Sequence, residues 1–97
     1  MPKGYWIARV DVHDAERYRG YVAANAEPIG KFGGRFLVRG GQSEAVEGTS
    51  RTRNVVVEFP SYEAALGCYR SPEYQRAVAL RLPCSEADLL VIEGYEG

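Results

Sequence analysis

Residues 31–41 read KFGGRFLVRGG, with a glycine pair on each side of five residues, RFLVR, whose successive side chains would point to opposite faces of a strand. Gly33-Gly34 is typical of a helix end, because glycine accepts the left-handed backbone conformation found there. The alternation over 35–39 is typical of a strand with two different faces. Gly40-Gly41 then indicates a turn. A helix, a strand and a turn therefore follow one another, and the strand carries an arginine at each end.

Three other segments have the composition of strands. Residues 4–12 alternate between an apolar and a mixed set, residues 55–59 form a dense β-branched run, and residues 87–94 form the last apolar segment. The segment SEAVEG, 43–48, could add a short strand, although it is polar. The sequence therefore predicts at least four strands.

Two helical regions separate these strands. Asp14 can cap the first helix by accepting hydrogen bonds from its free N–H groups, and Pro28 either kinks this helix or restarts it. Its predicted core stripe is Tyr18, Val22, Ala26 and Ile29. The second region has two start signals, each with a serine at the N-cap, and is predicted as two pieces, 62–70 and 72–82.

The order of elements is β-α-β-β-α-β, which is the split βαβ arrangement. We expect an α+β fold of the ferredoxin-like type, in which helices cover one face of an antiparallel sheet. The other face of the sheet, called the open face below, has no cover of its own. The chain of 97 residues fits a single domain, 1–97, with oligomerisation as a natural supplement to a small core.

The open face is predicted to mix apolar and charged side chains. Alternation assigns to it Tyr5, Ile7, Arg9, Leu37, Arg39, Val56 and Glu58. Two such faces from two subunits can stack at a spacing of roughly 10 Å, which would bury this surface in a homodimer and could enclose a small cavity.

Two interpretations of the charged residues stay open at this point. Arg9, Arg39 and Glu58 could form an ion-pair network that sets the dimer register, with no ligand. Alternatively, Arg9 and Arg39 receive an anionic group, Glu58 lies beside them, and Tyr5, Ile7 and Leu37 form an apolar wall of the binding site. An enzyme could use the same cavity.

Other side chains carry weaker signals. His13, at the junction of the first strand and first helix, and Glu58 are the candidates for a catalytic base, although a lone loop histidine often has no chemical role. Tyr21 and Asn25, spaced i, i+4, could line the mouth of a cavity or form a half-exposed helix shoulder. Trp6 falls with the core set, or could line a pocket.

Composition excludes several classes. Twelve basic and thirteen acidic side chains give a net charge of −1, which argues against nucleic acid and membrane surfaces as partners. No membrane span or signal core is evident, and we expect a cytoplasmic protein. Cys68 and Cys84 lack CxxC spacing, so we expect two free thiols and no metal site. No cofactor-binding motif is present.

Three blocks resemble a known family. They are GYWIARVDVHD, KFGGRFLVRGG and VVVEFPSYEAALGCYRSPEYQ, which are similar, in order and spacing, to the signature blocks of the bacterial family named domain of unknown function 1330. The resemblance implies a ferredoxin-like protomer of the dimeric α+β barrel superfamily. The family supplies no catalytic residues, but the superfamily includes cofactor-independent monooxygenases and isomerases.

Three functions are therefore compatible with the sequence. The first is a homodimer that binds a small anionic or aromatic molecule, the second is a cofactor-independent enzyme, and the third is a structural dimer without a ligand.

Overall fold

The computed structural model describes residues 2–97. Its elements are β1 (Gly4–Val12), α1 (Ala15–Lys31), β2 (Arg35–Arg39), β3 (Arg53–Phe59), α2 (Tyr62–Arg70), α3 (Pro72–Arg81), a 3-10 turn (Leu82–Cys84) and β4 (Ser85–Glu93). The four strands form one antiparallel sheet in the order β2-β3-β1-β4. The predicted ferredoxin-like α+β fold is confirmed. The segment 43–48 forms no strand and is exposed.

Side-chain caps set the helix starts. The carboxylate of Asp14 accepts from the Arg17 backbone N–H at 3.1 Å, as predicted. Ser71 separates α2 from α3: its hydroxyl donates to the Cys68 carbonyl at 2.7 Å and accepts from the Tyr74 N–H. The predicted division of the second helical region is thereby confirmed. Helix α1, in contrast, continues through Pro28 without a restart.

The core lies between the helices and the sheet and is centred on aromatic rings. Trp6 on β1 is buried, and its indole N–H donates to the Ala65 carbonyl at 2.9 Å. Its ring lies 4.7 Å from the ring of Tyr74 and 5.0 Å from that of Phe59, measured between centroids. The prediction that Trp6 belongs to the core is confirmed.

The predicted core stripe of α1 is partly wrong. Tyr18 and Ile29 are buried, but Ala26 is exposed, and Tyr21 and Asn25 are buried instead. The helix is rotated toward α3, where the Tyr21 hydroxyl lies 2.6 Å from that of Tyr74. The spacing of apolar residues along α1 could not predict this hydrogen bond, because its partner lies on another helix.

The facing of β2 also differs from the prediction. Phe36 pairs with Val57 and faces the helices, but the register shifts before the next pair, in which Val38 lies opposite Val56. This β-bulge places two residues of β2 against one of β3, so it reverses the facing of everything that follows. Val38 therefore lies on the open face, and Arg39, opposite Val55, lies on the face that the helices cover.

Within residues 2–97, no helix is long and apolar enough to cross a membrane.

Gly4 tests the contact between β1 and the start of α2. A Cβ at this position would overlap the backbone of Ser61 and Tyr62, so we expect Gly4→Ala to lower the free energy of unfolding by at least about 2 kcal/mol. Gly20→Ala is the control, because its Cβ would meet nothing and alanine favours a helix; we expect a gain of roughly 0.5–1 kcal/mol. Urea unfolding followed by circular dichroism measures both, and equal effects would contradict the packing described.

Candidate functional site

A small cavity lies between the sheet and helices α1 and α3. It has a volume of about 20 Å³, which is room for one or two water molecules. Its polar lining consists of Tyr18, Tyr21, Asn25, Arg39, Arg53 and Arg81. Trp6 and Phe36 add aromatic wall, so Trp6 is both a core residue and part of the cavity.

Three different elements bring the arginines to this cavity. Arg39 reaches it because of the bulge in β2. Arg53 is the first residue of β3 and pairs with Val10 of β1. It precedes Val55, the partner of Arg39, by two residues. Arg39 and Arg53 are therefore diagonal neighbours on one face of the sheet, with Cα atoms typically about 7–8 Å apart. Arg81 ends α3 and is only 6% exposed.

Gly40 makes room for one of these arginines. Its backbone has a φ of +71°, and a Cβ there would collide with the guanidinium of Arg53. The second glycine pair of residues 31–41 therefore does more than turn the chain. It allows the chain to pass closely over the Arg53 side chain.

The cavity arginines have no acidic partners among residues 2–97. Two other arginines do have such partners: Arg51 contacts Asp11 at 2.8 Å and Asp88 at 2.9 Å, and Arg35 contacts Glu58 at 3.0 Å. No carboxylate of the described residues lies within 4.0 Å of Arg39, Arg53 or Arg81. Acidic residues are thus available in the sequence, but none faces this cavity.

Three polar atoms of the cavity residues are buried and lack a hydrogen-bond partner within residues 2–97. They are Nε of Arg53, Nε of Arg81 and Oδ1 of Asn25. A buried donor or acceptor without a partner costs roughly 1–3 kcal/mol, and more when the group is charged. The two Nε–H groups are therefore free to donate to an acceptor that enters the cavity, whether a water molecule or a bound anion.

Aromatic rings give the arginines partial compensation. The guanidinium carbon of Arg39 lies 4.0 Å from the ring centroid of Phe36, that of Arg53 lies 5.6 Å from Tyr18, and that of Arg81 lies 5.2 Å from Tyr21. Such cation–π contacts contribute about 0.5–2 kcal/mol, but they leave the N–H donors unsatisfied.

Tyr18, in the cavity wall, and Tyr74, beside it, are neutral hydrogen-bonding groups. Burial raises the pKa of Tyr74 above its usual range, and the neighbouring Tyr21 hydroxyl adds to this effect. Burial also raises the pKa of Tyr18, with a further contribution from Tyr21, while Arg53 acts in the opposite direction. Both phenols therefore keep their protons at neutral pH.

The sequence-predicted site residues are divided between the two faces of the sheet. Arg39 lies in the cavity, whereas Tyr5, Ile7, Arg9 and Glu58 lie on the open face, and Leu37 is exposed at the bulge. The predicted set of Arg9, Arg39 and Glu58 is therefore not brought together within the protomer. The bulge is the physical reason, because it moves Arg39 to the opposite face.

Glu58 has other partners. Its carboxylate accepts from Arg35 Nε at 3.0 Å and from the Tyr5 hydroxyl at 3.3 Å, and Lys3 Nζ lies at 3.8 Å. Arg9 faces Asn54 on one side and Asp88 on the other. His13 is exposed in the turn before α1, where its backbone N–H donates to the Cys84 carbonyl at 2.8 Å. Neither candidate base lines the cavity.

The sequence did not predict Arg53 or Arg81 as cavity residues. Tyr18 was predicted to belong to the core, but not to line a cavity. The i, i+4 spacing of Tyr21 and Asn25 was compatible with a cavity mouth or with a half-exposed shoulder, and the structure, in which both are buried and line the cavity, supports the first. No spacing pattern could have identified Arg53 and Arg81, because the direction in which each side chain points depends on how β3 and α3 pack against the rest of the protein.

The two cysteines are free and buried, as predicted. Burial raises the pKa of Cys68 to about 12, with a further contribution from Glu73, which makes its thiol unreactive at neutral pH. Among residues 2–97, no three His, Cys, Asp or Glu side chains come together as a metal site would need.

Fold and cavity together define a class: a small ferredoxin-like α+β protein with an unpaired arginine cluster between sheet and helices. The chain belongs to the domain of unknown function family DUF1330, whose model matches residues 3–95. The family resemblance found from the three sequence blocks is confirmed. No protein with a curated description matches the sequence.

Solved structures share the fold at low sequence identity. A Rhodopseudomonas palustris protein of unknown function matches with a TM-score of 0.77 and 18% identity, over 99% of this chain and 85% of that one. SnoaB, a cofactor-independent oxygenase from Streptomyces nogalater, matches with a TM-score of 0.68 and 13% identity, over 100% of this chain and 97% of that one. A dimeric ferredoxin-like protein from Thermobifida fusca has a TM-score of 0.58 and 12% identity, over 95% and 91% of the two chains.

The buried tyrosines predict a loss of stability at alkaline pH. In the unfolded chain tyrosine ionises near pH 10, whereas a raised pKa keeps the folded phenol neutral. The contribution of Tyr74 to stability is therefore fully present below about pH 10 and falls as the pH rises above it, by up to about 1.4 kcal/mol per pH unit, whereas the contribution of the buried Cys68 thiol begins to fall at a lower pH in every variant. We expect Tyr74→Phe to show a smaller fall than wild type in urea unfolding between pH 8 and 10.5. Tyr95→Phe, at an exposed site, should retain the wild-type slope.

Proposed function

We propose that this protein binds a small organic anion in the arginine-lined cavity. The observation that carries the proposal is that Arg39, Arg53 and Arg81 line one small cavity with no carboxylate of residues 2–97 within salt-bridge distance. Arg81 is only 6% exposed, and a buried charge without a counter-charge costs several kcal/mol. An anion entering the cavity removes this cost and accepts from the two unpaired Nε donors.

A carboxylate is the anion that fits best. Guanidinium N–H groups form a planar fork that matches two carboxylate oxygens. The cavity of about 20 Å³ has room for a group of about that size, whereas the apolar body of an organic acid needs the aromatic and aliphatic wall to open. The site therefore differs from the sheet-interface cavity expected from sequence, although Arg39 belongs to both.

We also propose that the protein is a homodimer joined through the open face. Ile7 and Val56 are half-buried on this face, and four more exposed apolar residues lie on it or at the bulge: Leu37, Val38, Leu90 and Ile92. A contiguous apolar surface of this kind is unusual on a free protein. The fold similarity to a dimeric ferredoxin-like protein supports the same arrangement. In the dimer, the predicted contacts of Tyr5, Ile7, Arg9, Leu37 and Glu58 would be with the second subunit.

An enzyme without a cofactor is the second candidate function. The observation that favours it is the pair of buried tyrosine hydroxyls, Tyr21 and Tyr74, 2.6 Å apart beside the cavity. Both hydroxyls lie next to Arg81, and the one whose proton is not used between them could donate a hydrogen bond to a developing oxyanion on a bound acid. The similarity of the fold to that of SnoaB, a cofactor-independent oxygenase, is compatible with this function. A cytoplasmic location stays a prediction, whether the protein is a binding protein or an enzyme.

Anion binding is tested with a panel of aliphatic and aromatic carboxylates and their neutral amides. A carboxylate at tenfold its Kd should stabilise the fold by about 1.4 kcal/mol, or roughly 5–10 °C in Tm for a domain of this size, because it binds only the folded state. The matching amide should give no shift. Calorimetric titration at constant ionic strength confirms that the effect is binding.

Arg53→Met separates a binding role from a structural one. We expect it to abolish the carboxylate response while leaving the ligand-free Tm equal or higher, because it removes an uncompensated charge. Arg51→Met is the matched control: it should retain the response and lower stability slightly, since Arg51 is paired with Asp11 and Asp88. If Arg53→Met lowers the ligand-free Tm and no carboxylate binds wild type, the proposal is wrong.

The dimer is tested by charge substitutions at two leucines of equal exposure. Leu90, 50% exposed on the open face, and Leu80, 48% exposed on α3, form a matched pair. Sedimentation at micromolar concentration should show wild type and Leu80→Lys at twice the chain mass of 10.7 kDa, and Leu90→Lys as a monomer. A monomeric wild type would contradict the proposal.

A further inference from the structure

The amide of Asn25 is the unexplained polar group of the cavity. The residue is 5% exposed, in the middle of α1, and its Oδ1 has no hydrogen-bond partner within residues 2–97. The other buried atoms without partners, on Arg53 and Arg81, are donors, which an anion satisfies. An anion does nothing for Oδ1, because it is itself an acceptor. A second chemical requirement is therefore built into the same cavity.

The surrounding charges hold this amide in one orientation. The guanidinium groups of Arg39, Arg53 and Arg81 make the cavity positive. A positive potential favours the oxygen end of the amide dipole facing the cavity over its NH₂ end. Asn25 therefore presents an acceptor to whatever the arginines bind.

We propose that the anion bound here also carries a hydroxyl group, and that Asn25 Oδ1 accepts its hydrogen bond. This inference rests on the proposed function, because it concerns the second polar group of the same ligand. One carboxylate for the arginines and one O–H donor for Asn25 would leave none of the three buried atoms unpaired. The ligand class is then a hydroxy acid, and Asn25 is the residue that selects for it.

The contact of Phe36 with Arg39 favours a ligand whose body is a flat ring. The guanidinium of Arg39 lies 4.0 Å above the ring of Phe36, a stacking distance for planar groups. Arg39 is exposed and ends β2, an edge strand of five residues, so moving its side chain aside costs mainly the cation–π contact with Phe36. An aromatic ring can take its place on Phe36, which provides the space that a cavity of 20 Å³ lacks, while Arg39 pairs with the carboxylate.

The test compares benzoate with 2-, 3- and 4-hydroxybenzoate and with the three methoxybenzoates, by calorimetric titration of the full chain. Wild type should bind at least one hydroxybenzoate about tenfold or more tightly than benzoate and than its methoxy analogue, because only the hydroxyl donates. Asn25→Leu, which has a similar size and no acceptor, should lose this preference while it still binds benzoate. Asn54→Leu, on the open face, is the control and should retain it.

Asn25→Asp gives an independent result. A carboxylate at this position supplies an internal counter-charge for the arginines, so the variant should be more stable than wild type and bind no acid of the panel. If wild type binds benzoate and all hydroxybenzoates equally, or if Asn25→Leu keeps the preference, this inference is wrong and the proposed anion site stands. If no acid binds wild type, both fail.

Discussion

The bulge in β2 is the constraint on which the candidate site depends. One extra residue between Phe36 and Val38 reverses the facing of the strand, so Val38 is turned outward and Arg39 inward. Gly40 follows directly and leaves room for the Arg53 guanidinium beneath the chain. Without the bulge, Arg39 would join the charged groups of the open face, and the cavity would lose one of its three cations.

The two faces of the sheet differ in the partners of their charged side chains. On the open face several charges are paired: Glu58 with Arg35 and Lys3, and Arg51 with carboxylates of β1 and β4. Under the helices Arg39, Arg53 and Arg81 lie against aromatic rings and have no carboxylate partner among residues 2–97. Arg81 is buried there, and burying a charge without a counter-charge lowers the free energy of unfolding.

Much of the fold follows from local patterns. The alternation of β1, the capping residues Asp14, Ser61 and Ser71, and the β-branched run of β3 are each sufficient to predict an element. The candidate site was much harder to predict from the sequence. Of its polar lining only Arg39 was predicted as a ligand contact, and it was assigned to the wrong face, while Tyr21 and Asn25 were recognised from their spacing as possible cavity residues.

The order of strands and helices, the helix ends and the family could all be predicted, because these depend on residues that are neighbours along the chain. Tertiary structure alone decided which arginines meet. A one-residue bulge changes the face of every following side chain, and the rotation of α1 toward Tyr74 decides that Tyr21 and Asn25 are buried. Both are set by pairing and packing between segments far apart in sequence, and such long-range contacts leave no periodic pattern in either segment.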